Sequence, residues 1–306
     1  MPSILVVGPG AIGGVLACRW AEAGYETALL GRTAASENAL ARQGLEFTGT
    51  SGTTRRVLKG LASARRHGGK PADAVFFCVK NHQTERAAAA AKRWVGPKTA
   101  VVSLQNGVGH EKILRRAFGA ERVVIGICYI AADRTGPRQI IHNGGKDIHL
   151  AQTLLNGTAT QSAAELLRVG GWQVAIEPDE DAMLWTKLCF NAAGNPLGAL
   201  CGATNGELGR EPALRELMTR ALLEAVEAAK ADGHRVPAAE MEALLLKPYP
   251  NDSRQRNSML QDLQAGRKTE IDAIVGPIVV AAKRRGVPVT LLPTLARFVK
   301  KLEAAL

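Results

Sequence analysis

Residues 3–32 read SILVVGPGAIGGVLACRWAEAGYETALLGR, and this stretch decides the fold. Ser3–Val7 is a short apolar run, Ala11–Ala23 has helical character, and Glu26–Leu30 is a second apolar run, so the segment reads as strand, helix, strand. Gly8, Gly10 and Gly13 form a G-x-G-x-x-G at the strand-to-helix turn, which is the context that gives this spacing meaning. The first glycine permits the tight turn, the second lets a pyrophosphate approach the backbone, and the third lets helix and strand pack closely. The helix N-terminus adds N–H groups with no intrahelical acceptor. Gly8, Pro9, Gly10, Ala11, Ile12 and Gly13 are therefore the candidate dinucleotide cradle. Pro9 is an unusual spacer, but no N–H is needed at that position.

The second strand ends at Leu29-Leu30-Gly31-Arg32, where an NAD site would present Asp or Glu to the ribose hydroxyls. Arg32 carries the opposite charge and suits the 2′-phosphate of NADP(H). Its plain alternative is a solvated loop arginine. Lys80 follows the strand expected at Ala74–Val79, on the edge where doubly wound sheets bind ligands, and can serve the same phosphate. Asn106-Gly107, after the strand expected at Thr99–Leu104, reads either as a turn or as part of that edge.

Working outward, helices are expected at Gln83–Trp94 and His110–Phe118, strands at Arg122–Ala131, Gln139–His142 and Asp147–Ala151 with turns at Gly136-Pro137 and Gly144-Gly145, then a helix at Ala159–Val169 and a strand at Trp172–Ile176. The three middle strands extend one edge antiparallel. Pro178 marks a boundary, and beyond it only helices read: Asp181–Asn195, Ala213–Asp232, Ala238–Leu246, Glu270–Arg285 and Leu291–Leu306. The fold class is α/β, with a doubly wound domain over 1–178 and an all-helical domain over 179–306.

With 306 residues, 46% hydrophobic and only 4% aromatic, the chain can bury two cores of helices and parallel sheet. The net charge of +11 points to an anionic partner without naming one. Its basic clusters, Arg55-Arg56, Arg65-Arg66 and Lys283-Arg284-Arg285, are short and lack aromatic interleaving, which excludes a nucleic-acid partner; they read as solvated loop and helix-end charge. The loop expected over 50–70 has no assigned role. Cys18, Cys78, Cys128, Cys189 and Cys201 form no CxxC pair and no metal site, and with no apolar run long enough for a membrane span the chain reads as cytoplasmic.

Lys187, Asn191 and Asn195 recur every fourth residue, which aligns them on one helix face about 6 Å apart in rise. Leu184, Leu188 and Phe190 among them make the helix read as largely buried, so the polar stripe needs partners or a ligand. Pro196 removes a helical donor and biases Asn195 away from helical geometry, predicting a bend or break there. A lysine ammonium can stabilise and protonate the oxyanion left by hydride addition to a ketone, which makes Lys187 the candidate acid. Ser258 and Glu270 lie in the polar stretch Asn257–Asp272, where Thr269-Glu270-Ile271-Asp272 resembles a helix-capping pattern.

Three separated signatures, VVGPGAIGG at the N-terminus, KLCFNAAGNPL from Lys187 with the following NGEL from Asn205, and SMLQD from Ser258 with TEID from Thr269, closely resemble the ketopantoate reductase (2-dehydropantoate 2-reductase) family. The resemblance implies a Rossmann-type domain and a helical domain with NADPH and substrate in the cleft between them. By position it implies that Arg32 and Lys80 bind the 2′-phosphate end and that Asn106 lies near nicotinamide and substrate. It further implies Lys187 as catalytic acid, Glu270 as its carboxylate partner, and Asn191, Asn195, Asn205 and Ser258 as the substrate-binding set. The implied reaction is transfer of the pro-S hydride of NADPH to the ketone of 2-dehydropantoate. A same-fold reductase of another branched 2-oxo acid, or a non-catalytic NADPH sensor, are the alternatives. Apolar helical faces could pack within the chain or across a homodimer.

Overall fold

The computed structural model describes residues 3–57, 59–64, 70–246 and 255–305. It divides into two compact units, Met1–Gln105 with Gly109–Glu180, and Asn106–Val108 with Asp181–Leu306.

The first unit is built on a ten-stranded sheet. Its elements are β1 (Ser3–Val7), α1 (Ala11–Glu22), β2 (Glu26–Leu30), α2 (Ala34–Gln43), β3 (Leu45–Thr48), β4 (Thr54–Val57), β5 (Leu61–Ser63), β6 (Ala74–Phe77), α3 (Thr84–Ala91), β7 (Ala100–Ser103), α4 (His110–Phe118), β8 (Val123–Arg134), β9 (Gln139–Ala151), α5 (Gly157–Val169) and β10 (Gln173–Glu177). The order runs β4-β3-β9-β8-β7-β6-β1-β2-β5, with β10 pairing the far half of β9. Strands β8, β7, β6, β1, β2 and β5 pair in parallel, and β8–β9 is antiparallel.

Apolar residues fill both faces because helices cover both. The Phe76 ring packs tilted against Trp20 of α1 with centroids 4.5 Å apart, while Phe77, on the opposite face, meets Phe118 of α4 at 5.9 Å. The Trp20 indole N–H donates to the Leu166 carbonyl at 2.7 Å, which ties α1 to α5. This is a doubly wound, Rossmann-type arrangement, with the chain leaving β1 toward β2 on one side and returning to β6 on the other.

Two expectations need correction in this unit. Gln139–His142 and Asp147–Ala151 are one strand, because Gly144-Gly145 forms an irregularity in the β8–β9 ladder instead of a turn. Gly145, at φ +76, lies so close to the Tyr129 carbonyl that a Cβ would sit 1.9 Å from it. Residues 50–70 are also more than a loop, since β4 and β5 lie there; β4 is an edge strand whose arginines form ion pairs, Arg55 with Glu22 of α1 and Arg56 with Glu46 of β3. Arg65-Arg66 lies outside the described residues. Helix α2, strand β3 and these two strands carry too little periodicity to be read from sequence.

All the regular elements among the described residues of the second unit are helices: α6 (Glu180–Cys201, starting at the boundary), α7 (Asn205–Arg210), α8 (Pro212–Ala231), α9 (Ala238–Leu246), α10 (Ser258–Gln264), α11 (Ile271–Ile274), α12 (Gly276–Arg285) and α13 (Leu291–Glu303). Its core includes Leu188, Ala192, Leu222, Ile274, Ile278 and Leu292. The predicted break at Asn195 does not occur, since α6 continues through Pro196 to Cys201. Pro196, Leu197, Gly198 and Ala199 are all buried, so packing outweighs the lost hydrogen bond. The expected helix over Glu270–Arg285 does divide, at Val275, where Gly276 weakens the helix and Pro277 cannot donate to the Ala273 carbonyl. Two arginines of the last basic cluster, Arg284 and Arg285, pair with Asp232 at 3.0 and 2.8 Å.

Candidate active site

In the first unit, the parallel register of β7, β6, β1 and β2 sets the C-terminal ends of four strands side by side. Gly8–Gly13 leaves β1, Arg32 follows β2, and Lys80 follows β6. The glycine turn is held by backbone bonds from Gly8 N–H to Leu30 O at 2.9 Å, Gly10 N–H to Gly8 O at 2.7 Å and Gly14 N–H to Gly10 O at 2.8 Å.

The three glycines are not equivalent. Gly8 has φ +88, and a Cβ there would lie 2.6 Å from Val79 Cγ1. A Cβ on Gly13 would lie 2.3 Å from the Gly8 carbonyl and 3.0 Å from Val6 Cγ1, so this residue sets how closely α1 approaches β1. At Gly10 the nearest atom is 4.0 Å away, and the protein itself leaves that side open. Gly10 is the N-cap of α1 and makes no side-chain cap, so the first-turn N–H groups of α1 receive no acceptor from it. An open backbone above a helix N-terminus with no acidic residue in its first turn fits a dinucleotide pyrophosphate.

Arg32 is exposed just past β2, one residue before Thr33, whose side chain caps α2 by accepting from Ser36 N–H. Lys80 is half-buried and opens a one-turn 3₁₀ helix, Asn81–Gln83. Sequence reasoning missed Arg134. Its guanidinium donates to the Pro9 carbonyl at 3.2 Å and to the Gly136 and Pro137 carbonyls, pinning the glycine turn to the β8–β9 connection. Nothing local signals this, since 125 positions separate Arg134 from Pro9. Cys78 lies under the turn, 3.2 Å from where a Gly13 Cβ would be. Burial, with a smaller contribution from Cys128, pushes its thiol far above the ordinary range, which makes it a packing group and not a nucleophile.

In the second unit, Lys187, Asn191 and Asn195 do share a face of α6. All three are half-buried, whereas Leu184, Leu188, Cys189, Ala192 and Ala193 are buried. The stripe is thus more accessible than the expected buried one. Asn205 opens α7, with its N–H donating to the Gln255 carbonyl at 2.7 Å. Thr204 and Glu207 form a capping box around it. Ser258 opens α10, next to Asn257, whose side-chain oxygen caps that helix through Leu260 N–H at 3.0 Å. Glu270 is 6% exposed and is the N-cap of α11, but through its backbone: its carbonyl accepts from Ala273 and Ile274, and no side-chain cap forms. The carboxylate is therefore not spent on capping.

Asn106–Val108 belongs to this unit. Gly107 lies against Ala273 in α11, where a Cβ would be 2.7 Å from the Ala273 carbonyl, so glycine is required for Asn106 to stand this close to the helix that follows Glu270. Among the described residues no cluster of His, Cys, Asp and Glu could hold a metal, and no helix is long and apolar enough to cross a membrane.

The chain as a whole is similar to known proteins. A 2-dehydropantoate 2-reductase of Halobacterium salinarum is 30% identical over 304 residues, covering 97% of each chain. One from Mycobacterium tuberculosis is 30% identical over 299 residues, covering 96% of each. The crystal structure of a PanE/ApbA family ketopantoate reductase from Ralstonia eutropha superposes with a TM-score of 0.84 at 28% identity over 99% of both chains. A D-mandelate dehydrogenase complex with NADH and anilino(oxo)acetate has the same fold, with a TM-score of 0.88 at 22% identity over 99% of this chain and 98% of that one. Residues 4–154 match the family model "Ketopantoate reductase PanE/ApbA" and residues 179–303 its C-terminal counterpart, so both the glycine cradle and the lysine-asparagine helix fall in matched regions, and the chain belongs to the ketopantoate reductase family.

Proposed function

We propose that this chain reduces 2-dehydropantoate to pantoate with NADPH, a step toward pantothenate and coenzyme A. The observation that carries the reading is the half-exposed Lys187, Asn191 and Asn195 stripe on α6, backed by a buried core, in a chain of this family. Residues 1–178 form the cofactor domain in this reading and 179–306 the substrate domain.

Gly8–Gly13 cradles the pyrophosphate, and Arg32 and Lys80 bind the 2′-phosphate that separates NADPH from NADH. Bound NADPH supplies the hydride. Lys187 holds the proton at Nζ, stabilises the negative charge that builds on the ketone oxygen, and delivers the proton there. Glu270, a buried carboxylate, orients Lys187. Asn106, Asn191, Asn195, Asn205 and Ser258 hydrogen-bond the carboxylate and hydroxyl of the substrate, their amide and hydroxyl groups supplying both donors and acceptors.

Lys187→Ala is expected to lower kcat by about 10² to 10⁴ while NADPH affinity stays near wild type, as steady-state turnover and fluorescence titration will show. Near-normal turnover contradicts the assignment. We also read the protein as a homodimer, since Val280, Phe298 and Leu302 of the helical unit are exposed apolar side chains. Light scattering should return twice the mass of one chain; a monomer mass at micromolar concentration rejects this.

A further inference from the structure

Beneath the cofactor edge of the first unit lies a chain of buried polar groups that the mechanism does not use. Thr84, Ser103 and His110 are fully buried and Gln105 is 3% exposed. Thr84 Oγ1 lies 2.7 Å from the Asn81 carbonyl and 2.8 Å from Gln105 Nε2. Gln105 Oε1 lies 3.1 Å from Ser103 Oγ, which lies 3.1 Å from His110 Nδ1.

Proton counting gives this chain one direction. A hydroxyl has a single proton, and Thr84 spends its own on the Asn81 carbonyl, so it accepts from the Gln105 amide. That orientation turns the Gln105 carbonyl toward Ser103, which donates to it and must then accept from His110. His110 carries its proton on Nδ1. The order is His110 to Ser103 to Gln105 to Thr84 to the Asn81 carbonyl, linking the start of α4, the end of β7 and the start of α3. It ends on the residue next to Lys80, in a turn also closed by the Gln83 N–H on the Lys80 carbonyl at 2.8 Å. An apolar core would hold these elements together without such a chain, and buried polar groups are costly when any member loses its partner. What the polar chain adds is a defined backbone position for the Lys80 turn.

We propose that Thr84, Gln105, Ser103 and His110 are positioning residues that hold the Lys80 turn in the geometry that selects NADPH over NADH. The inference rests on Lys80 being a ligand of the 2′-phosphate.

The test is titration of the full-length enzyme with NADPH and with NADH by nucleotide fluorescence, for wild type, Thr84→Val, Thr84→Ser, Gln105→Met, Lys80→Ala and the Thr84→Val/Lys80→Ala double variant. Thr84→Val and Gln105→Met should each weaken NADPH about 10-fold with NADH changed less than about 2-fold, the loss expected when one charge-assisted contact is misplaced. Thr84→Ser, which keeps the hydroxyl, should restore wild-type selectivity. In the Lys80→Ala background, Thr84→Val should cost no further NADPH affinity. If Lys80→Ala is selective but Thr84→Val and Gln105→Met weaken both cofactors equally, or neither, the positioning role is overturned while the reading of Lys80 stands. If Lys80→Ala leaves the NADPH to NADH ratio unchanged, the reading of Lys80 is wrong and the proposal falls with it.

Discussion

Gly10 and Gly13 stand three residues apart in one motif, yet different forces keep them small. Gly13 is crowded by the protein, with the Gly8 carbonyl 2.3 Å from a virtual Cβ; Gly10 is crowded by nothing the protein supplies. Gly13→Ala should therefore force α1 away from β1 at a cost of about 1–3 kcal/mol, measurable by denaturant unfolding. Gly10→Ala, at an ordinary φ of −81, should change stability by less than about 0.5 kcal/mol while sharply weakening NADPH binding. If Gly10→Ala binds NADPH normally, that face of the turn does not hold the pyrophosphate. The motif alone makes both positions visible in the sequence but not the difference between them, because the difference lies in contacts with Val6, Gly8 and Cys78 across the strand ends. Arg134 was invisible for the same reason, as its hydrogen bond to Pro9 exists only once β8 lies beside the turn.

At the scale of elements, two prolines with similar local chemistry have opposite outcomes. Pro196 sits within α6, where buried residues on either side keep the helix continuous, whereas Pro277, after Gly276, coincides with the division between α11 and α12. Local propensity predicts a disturbance at both; burial decides which is absorbed. Strands β3, β4 and β5 were missed because they are three or four residues long, and β4 carries two arginines that suit an edge but hide a strand. Helix α13 shows a cap no local pattern contains. Glu224 of α8 accepts the N–H groups of Thr290, Leu291 and Leu292 at 2.9 Å each. Burial would raise its pKa, but these donors outweigh burial and hold the carboxyl below its ordinary range. The cap therefore stabilises the fold above the unfolded-state pKa, and that contribution is lost as pH falls through the lower folded value. Glu224→Gln should cost about 1 kcal/mol at neutral pH, and the gap to wild type should shrink in acid. A pH-independent difference in unfolding free energy contradicts this account.

For the whole molecule, the class of each half was legible: alternating strands and helices before Pro178, and helices after it. A glycine turn, Arg32 and Lys80 were legible as residues that follow three strands, which parallel pairing makes neighbours in the sheet. The chemical groups were not legible from spacing alone. Lys187, Asn205, Ser258 and Glu270 open or line four separate helices, and helical packing, unlike a sheet ladder, leaves no register in the sequence that relates one to another. The resemblance of three short signatures to one family supplied what periodicity could not, and both family regions match the chain. The substrate is the claim on which the account turns. The most direct measurement is kcat/KM for NADPH oxidation with 2-dehydropantoate and with a panel of other branched 2-oxo acids. The account predicts that 2-dehydropantoate exceeds every competitor by at least about 10²-fold, since polar donors left unpaired by an analogue lacking its hydroxyl are costly. Equal or higher kcat/KM with another 2-oxo acid contradicts it.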